Sequence, residues 1–177
     1  PGLHCRPMPS KTATEKKRSK KSRTGRKRAS YTASNADKHH LYERSVQSPE
    51  AEIEFIDRTF KAIRGRVPEV LREDFCGTAF LACTWVRSRK RNESIGVDLD
   101  QPTLGWAIAN NLSWLNEEER SRVELICDDV TKVRARPADV VAAFNFSYFI
   151  FKTRTQLLNY FNAARRGLKK DGLFYLD

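Results

Sequence analysis

The chain has no apolar run of the roughly 18 to 20 residues that a bilayer-crossing helix needs, so a water-soluble fold is expected. Paired CxxC spacing is absent among Cys5, Cys76, Cys83 and Cys127. Three of these cysteines sit in apolar surroundings, which predicts buried, reduced thiols in a reducing compartment. Histidine is scarce, with three in 177 residues, and the adjacent His39 and His40 have no acid or cysteine at ligand spacing, so no metal site is expected. No secretory signal is visible. That predicts an intracellular protein, nuclear or cytoplasmic; an organelle transit peptide competes, but the lysine content of the N-terminal stretch counts against it. The first residue is Pro1 rather than methionine, so an upstream segment is expected.

Acidic residues are nearly missing from the first 40 positions, which hold 12 Lys or Arg against two acids. The formal charge of +11 therefore belongs almost wholly to this stretch, and residues 41–177 are close to neutral. The run Lys16-Lys17-Arg18-Ser19-Lys20-Lys21-Ser22-Arg23-Thr24-Gly25-Arg26-Lys27-Arg28 has too few apolar groups to offset the entropy of ordering, so residues 1–40 are predicted to be a disordered basic tail. Residues 11–28 suit an import receptor or nucleic acid as partner; a solvated tail without a specific partner is the plainer alternative.

From Ser48 onward the pattern becomes periodic. Ser48 and Pro49 open a helix with Glu50, Glu52 and Glu54 near its positive end, Ile53, Ile56, Phe60 and Ile63 on one face, and Gly65 at its stop. Strands are predicted at 69–73, 94–98, 122–127 and 139–144, with a fifth starting at Gly172. Between them lie a helix carrying Leu81, Trp85 and Val86, a helix opened by Asp100 and Pro102 with Leu104, Ile108, Leu112 and Leu115, and a helix opened by the Thr153/Gln156 capping box with Leu157, Phe161, Ala164 and Leu168. This alternation predicts an α/β fold, a Rossmann-like parallel sheet covered by helices on both faces.

Candidate ligand groups fall at the strand ends. Leu71-Arg72-Glu73-Asp74-Phe75-Cys76-Gly77-Thr78-Ala79 leads from an apolar strand through acids into a small-residue turn, where Gly77 lets backbone amides approach a ligand at a helix N-terminus. Ile95-Gly96-Val97-Asp98 ends on a carboxylate suited to a vicinal diol such as a ribose. Asp128 and Asp129 follow the third strand, where a carboxylate can accept from an adenine amine and the Val130 amide can donate to the ring. Each acid alone reads as a cap or loop residue; three at successive strand ends point to an adenosyl ligand.

These segments, with Ala143-Phe144-Asn145-Phe146-Ser147-Tyr148 and Leu168-Lys169-Lys170-Asp171-Gly172-Leu173, resemble the class I S-adenosylmethionine-dependent methyltransferases over residues 41–177. The resemblance implies S-adenosyl-L-methionine as cofactor. It assigns Glu73, Cys76, Gly77 and Thr78 to the methionine part, Asp98 to the ribose, and Asp129, with Asp128 as the neighbouring option, and Val130 to the adenine, with Phe75 and Leu99 also among the cofactor-binding residues. Asn145 and Tyr148 have the N-x-x-Y spacing of the amino-methylating branch, which implies that they hold and stack on the acceptor, with Asn145 also near the cofactor; the plainer reading makes Asn145 a turn cap and the aromatics core. The stretch Tyr42-Glu43-Arg44-Ser45-Val46-Gln47 resembles a helix that folds over the cofactor as a lid.

Two departures stand out. The family's first turn commonly has three small residues, whereas Gly77 is the one glycine here, between Phe75 and Ala79. The family's sheet also continues through two strands beyond the fifth, so a C-terminally incomplete domain is expected. The resulting expectation is a methyltransferase acting on a nitrogen or oxygen of an unidentified acceptor. Competing readings are a nonenzymatic adenosyl-binding module tethered to nucleic acid by the tail and, last, a nicotinamide oxidoreductase. Arg44 or Arg72 is a candidate for binding an acidic substrate.

Overall fold

A computed structural model describes residue 32 and residues 35–177. The basic run at 11–28 and Cys5 lie outside the described residues, and so do the expectations attached to them.

The predicted tail boundary at residue 40 moves. Helix α1 spans Lys38–Val46, opened by Asp37, whose carboxylate accepts from the His39 and His40 amides. The same carboxylate accepts from the Trp106 indole, and both histidine rings pack 4.9 Å from Trp106. These contacts order a segment whose composition alone suggests disorder.

Helix α2 (Pro49–Arg64) buries Ile53, Ile56 and Phe60 and stops at Gly65, whose φ of 72° is the left-handed conformation that glycine adopts at least cost. Ile63 was expected on the buried face but is exposed in the last turn of the helix.

Five parallel strands follow: β1 (Val70–Asp74), β2 (Glu93–Asp98), β3 (Val123–Cys127), β4 (Ala138–Ala143) and β5 (Leu168–Leu176), in spatial order β3-β2-β1-β4-β5. Helix α3 (Phe80–Ser88) connects β1 to β2. Helix α4 (Gln101–Asn110), a 3-10 turn at Leu112–Trp114 and the short α5 (Glu117–Arg120) connect β2 to β3, and α6 (Arg154–Arg166) connects β4 to β5.

Alternate strand residues feed opposite faces. Leu71, Val140, Ala142 and Tyr175 pack with α2 and α3, whereas Val70, Ile95, Val97 and Ala143 pack with Tyr160 of α6. The sheet is thus covered on both sides, and β1, with all five residues buried, lies at its centre.

Three local expectations change. Helix α4 ends at Asn110 and its Ile108 is exposed, while Leu112 and Leu115 reach the core from the turn beyond it; buried Asn111 fixes that turn by donating to Glu43 Oε1 and to the Thr78 carbonyl. β5 starts at Leu168, not Gly172. Gly172 instead sits at a register shift where a Cβ would lie 3.1 Å from the Ala138 and Asp139 carbonyls, so glycine marks an irregularity inside the strand. Cys76 and Cys83 are buried thiols as expected, but Cys127 is exposed because β3 is an edge strand of the described sheet.

A polar clasp closes the N-terminal ends of the strands. Asp139, buried at the start of β4, accepts from the Glu69 and Val70 amides, from Arg66 and from Lys169. Burial opposes ionisation of this carboxyl, but the bonds outweigh it and hold the group down at about 2. This clasp lies at the opposite end of the sheet from the strand termini that bind ligands in such folds.

Candidate functional site

Strand order changes direction at β1, which pairs with β2 on one side and β4 on the other. The loops leaving β1 and β4 therefore diverge and leave a crevice at their C-terminal ends. Two cavities occupy it. One, of about 170 Å³, is lined by Glu73, Phe75, Cys76, Gly77, Thr78 and Asn145, together with His39, Tyr42 and Gln47 from the N-terminal segment and Thr103 of α4. The other, of about 340 Å³, is lined by Phe75, Asp98, Leu99, Asp128, Asp129, Val130, Ile150 and Phe151. Phe75 is the wall common to both. A larger cavity of about 500 Å³ between α2 and α3 is remote from the strand ends and has none of these groups.

The backbone of this crevice is strained. Among the described residues, the non-glycine positions with left-handed φ are Phe75 (60°), Ala79 (55°), Asn145 (58°) and Phe146 (54°), all in the turns after β1 and β4. Such conformations cost on the order of 1 kcal/mol or more each and persist where surrounding contacts enforce them. Phe75 is held by its ring, packed 5.6 Å from Tyr160 and 6.1 Å from Phe151. Asn145 and Phe146 are held by their amides, which donate to the two carboxylate oxygens of Asp177 at 2.8 and 3.0 Å.

Glu73 lies at the floor. Its Oε2 accepts from the Ala82 amide at 3.1 Å and so caps α3, whose own N-cap, Ala79, has no side chain for that task. Burial, reinforced by Glu52, Asp98 and Asp74, pushes its carboxyl well above the usual carboxylate range, against the pull of the Ala82 bond. A cation placed in the cavity would reverse that shift.

Asp98, at the end of β2, ties two turns together: Oδ2 accepts from the Gly77 amide at 2.8 Å and Oδ1 from the Asp100 amide at 2.9 Å. The turn can sit this close because β2 has Gly96, where a Cβ would meet Leu125 Cδ2 at 2.8 Å and Cys76 Sγ at 2.9 Å. A glycine in mid-strand is the sequence signal for such an approach.

The acids after β3 are not equivalent. Asp129 spends both oxygens locally, accepting from the Thr131 amide and hydroxyl on Oδ1 and pairing with Lys132 through Oδ2. Burial raises its pKa, but these partners outweigh it and the carboxyl is held below its usual value. Asp128 uses Oδ1 for the Asp129 amide.

Tyr148 is not brought into the crevice. It lies on the 3-10 turn Ser147–Ile150 with its ring edge-on to Phe149 and against the α6-side core, and it lines neither cavity; the aromatics after β4 separate into lining and packing groups only in three dimensions. Arg72 is also redirected. It faces the α6 side, 2% exposed and paired to Asp74, and lines neither cavity, as is true of exposed Arg44.

Residues that motif reading did not place are His39 and Thr103, whereas Tyr42 and Gln47, from the stretch expected to act as a lid, line the smaller cavity. Gln47 and Thr78 share a further property: Gln47 Oε1 and Thr78 Oγ1 are two of three buried side-chain polar atoms without a partner among the described residues, and both residues line the smaller cavity. Buried polar atoms are rarely left unpaired, so two in one cavity mark it as shaped for a polar ligand.

No family model and no curated protein matches the chain. Solved structures do. It is similar to the sugar N-methyltransferase KedS8 from Streptoalloteichus sp ATCC 53650, with a TM-score of 0.64 and 19% identity over 85% of this chain and 57% of that one. An S-adenosylmethionine-dependent methyltransferase from Clostridium acetobutylicum ATCC 824 gives 0.63 and 23% over 77% and 55%. The amino pentose methyltransferase CalS10 from Micromonospora echinaspora, solved with S-adenosylmethionine bound, gives 0.62 and 17% over 78% and 53%. The chain spans little more than half the length of these proteins. Its fold is that of the class I S-adenosylmethionine-dependent methyltransferases.

Proposed function

We propose that the chain binds S-adenosylmethionine in the crevice and serves methyl transfer to a nitrogen or oxygen of an acceptor. The observation that carries this reading is the pair of cavities joined at Phe75, one with a buried acid and orphaned polar atoms, the other with carboxylates at the ends of β2 and β3. The first suits the amino-acid end of the cofactor and the second its nucleoside. Glu73 would accept from the ammonium, Gln47 and Thr78 would bond the same end, Asp98 would take the ribose hydroxyls, and Asp128 would take the adenine amine. Asp129 acts behind it by shaping the loop, since its Oδ1 already takes two donors and its Oδ2 the Lys132 ammonium, whereas each Asp98 oxygen takes a single amide and keeps capacity for a hydroxyl.

When bound, the cofactor supplies an electrophilic methyl group on sulfur. Methyl transfer needs in-line approach of the acceptor and exclusion of water more than it needs an activating side chain. Asn145, lining the cavity from its strained turn, offers an amide that can orient an acceptor amine or hydroxyl, and Tyr42 and Gln47 close the crevice from the N-terminal side. The solved neighbours named above as acting on amino sugars suggest a nitrogen acceptor as the first class to try.

Calorimetry with S-adenosylhomocysteine tests the reading: saturable micromolar binding is expected, followed by methyl incorporation when labelled cofactor and a cell extract are added. Absence of any binding heat would refute it.

A further inference from the structure

A second groove, of about 570 Å³, opens on the α6 side of the sheet and shares no lining residue with the two crevice cavities. The crossover from β3 to β4 causes it. Residues 128–137 contain no helix, and the groove lies between that loop and the C-terminal end of α6. Its charged lining is wholly basic: Arg72, Lys132, Arg134 and Arg166, with no acid among the lining residues.

Arg72 makes this more than a surface patch. It projects from the central strand, with Nε donating to Asp74 Oδ1 at 2.7 Å and Nη2 to the Val130 carbonyl at 3.3 Å. Nη1 has no hydrogen-bond partner among the described residues, yet it is absent from the fully buried orphan atoms, so it keeps contact with the groove. Space for it is provided by Gly167, where a Cβ would fall 2.5 Å from Nη1. The φ of Gly167 is −81°, so close approach rather than conformation calls for glycine here.

The local charges identify the ligand. Asp74 neutralises Arg72 and Asp129 neutralises Lys132, which leaves Arg134 and Arg166 as two cations facing the groove without an ion-pair partner among the described residues. We infer that this groove is a binding site for a phosphate dianion, with Arg72 Nη1 at its base and Arg134 and Arg166 at its mouth. A guanidinium matches phosphate oxygens in geometry as well as charge. The phosphate can belong to a small phosphorylated compound or to the end of a nucleic acid strand, which would present the same oxygens.

Titration of the full chain with inorganic phosphate at fixed ionic strength tests the site, because fixed salt removes nonspecific screening effects. One saturable site is expected, weakened at least tenfold in the Arg134→Ala/Arg166→Ala variant with circular dichroism unchanged. Gly167→Ala should weaken it as well, by closing the space around Nη1. No saturable heat, or equal affinity in wild type and double variant, would overturn the inference. A 5′-phosphorylated oligonucleotide preferred over its 5′-hydroxyl counterpart by wild type but not by the double variant would assign a nucleic-acid end; phosphate binding without that preference would assign a small phosphorylated ligand. Both oligonucleotides meet the same N-terminal tail, so its contribution cancels.

Discussion

The Gly77 amide donates to Asp98 Oδ2 across 2.8 Å, so the turn after β1 and the end of β2 are fastened by the same carboxylate proposed to hold the ribose. Asp98→Ala removes both the ligand group and the fastening. Affinity for S-adenosylhomocysteine should fall at least tenfold by calorimetry, a loss of about 1.4 kcal/mol or more. Asp98→Asn keeps an acceptor for one amide and should fall between.

Glu73 gives the crevice a pH dependence. Its folded-state pKa is raised, so the empty protein has stability that is present below the ordinary glutamate value and is lost as pH rises through the raised one. A bound ammonium favours the ionised form, so S-adenosylhomocysteine binding should strengthen with rising pH and release a proton. Calorimetry in buffers of different ionisation enthalpy measures that release; in Glu73→Gln the release and the Glu73 contribution to the pH dependence of stability should be lost.

Asp128 and Asp129 should separate by readout. Asp128→Ala should weaken adenosyl binding with little change in melting temperature. Asp129→Ala unties Thr131 and Lys132 and should lower the melting temperature, by roughly 0.5–2 kcal/mol of stability for a lost cap.

At the far end of the sheet, Asp139 predicts acid sensitivity. Its folded pKa of about 2 lies below the ordinary aspartate value of 3.8, so its contribution is present above the latter and is lost as pH falls toward 2. That difference corresponds to on the order of 2 kcal/mol. Asp139→Asn should show the deficit in denaturant melts at neutral pH, with the gap to wild type closing in acid, and adenosyl binding by the folded fraction should be unchanged.

Gly96→Ala tests close packing under the first turn. A Cβ at 2.8 Å from Leu125 and 2.9 Å from Cys76 Sγ should destabilise by roughly 1–3 kcal/mol. Adding Cys76→Ala should recover part of that loss, a non-additivity expected of touching residues.

Much of the fold was legible in order along the chain. The α2 stripe of Ile53, Ile56 and Phe60, the capping box at Thr153 and Gln156, and the strands flanking Asp98 and Cys127 all lie within a residue or two of where local pattern puts them. Local pattern failed where a distant partner decides the outcome. Gly172 looked like a strand start and is a mid-strand irregularity set by pairing with β4. Lys38 to His40 looked like tail and are helical because Asp37 and Trp106 meet across 69 residues of sequence. In the candidate site, Glu73, Phe75, Gly77, Thr78, Asp98, Asp128 and Asp129, singled out from the strand-end segments, all line the two cavities. The unpaired Gln47 Oε1 and the difference between Asp128 and Asp129 were not legible, since both depend on which side-chain atoms are already bonded.

The order of strands and helices, and the acids at strand ends, follow from hydrophobic periodicity and turn chemistry, which act over a few residues and so are written locally. Which way Arg72 points from a central strand and how the N-terminal helix meets the crevice were decided by tertiary packing. The partners that settle these points, Val130 for Arg72 and Trp106 and Asn111 for the N-terminal segment, lie 58 to 69 residues away in sequence, and no short-range pattern encodes them.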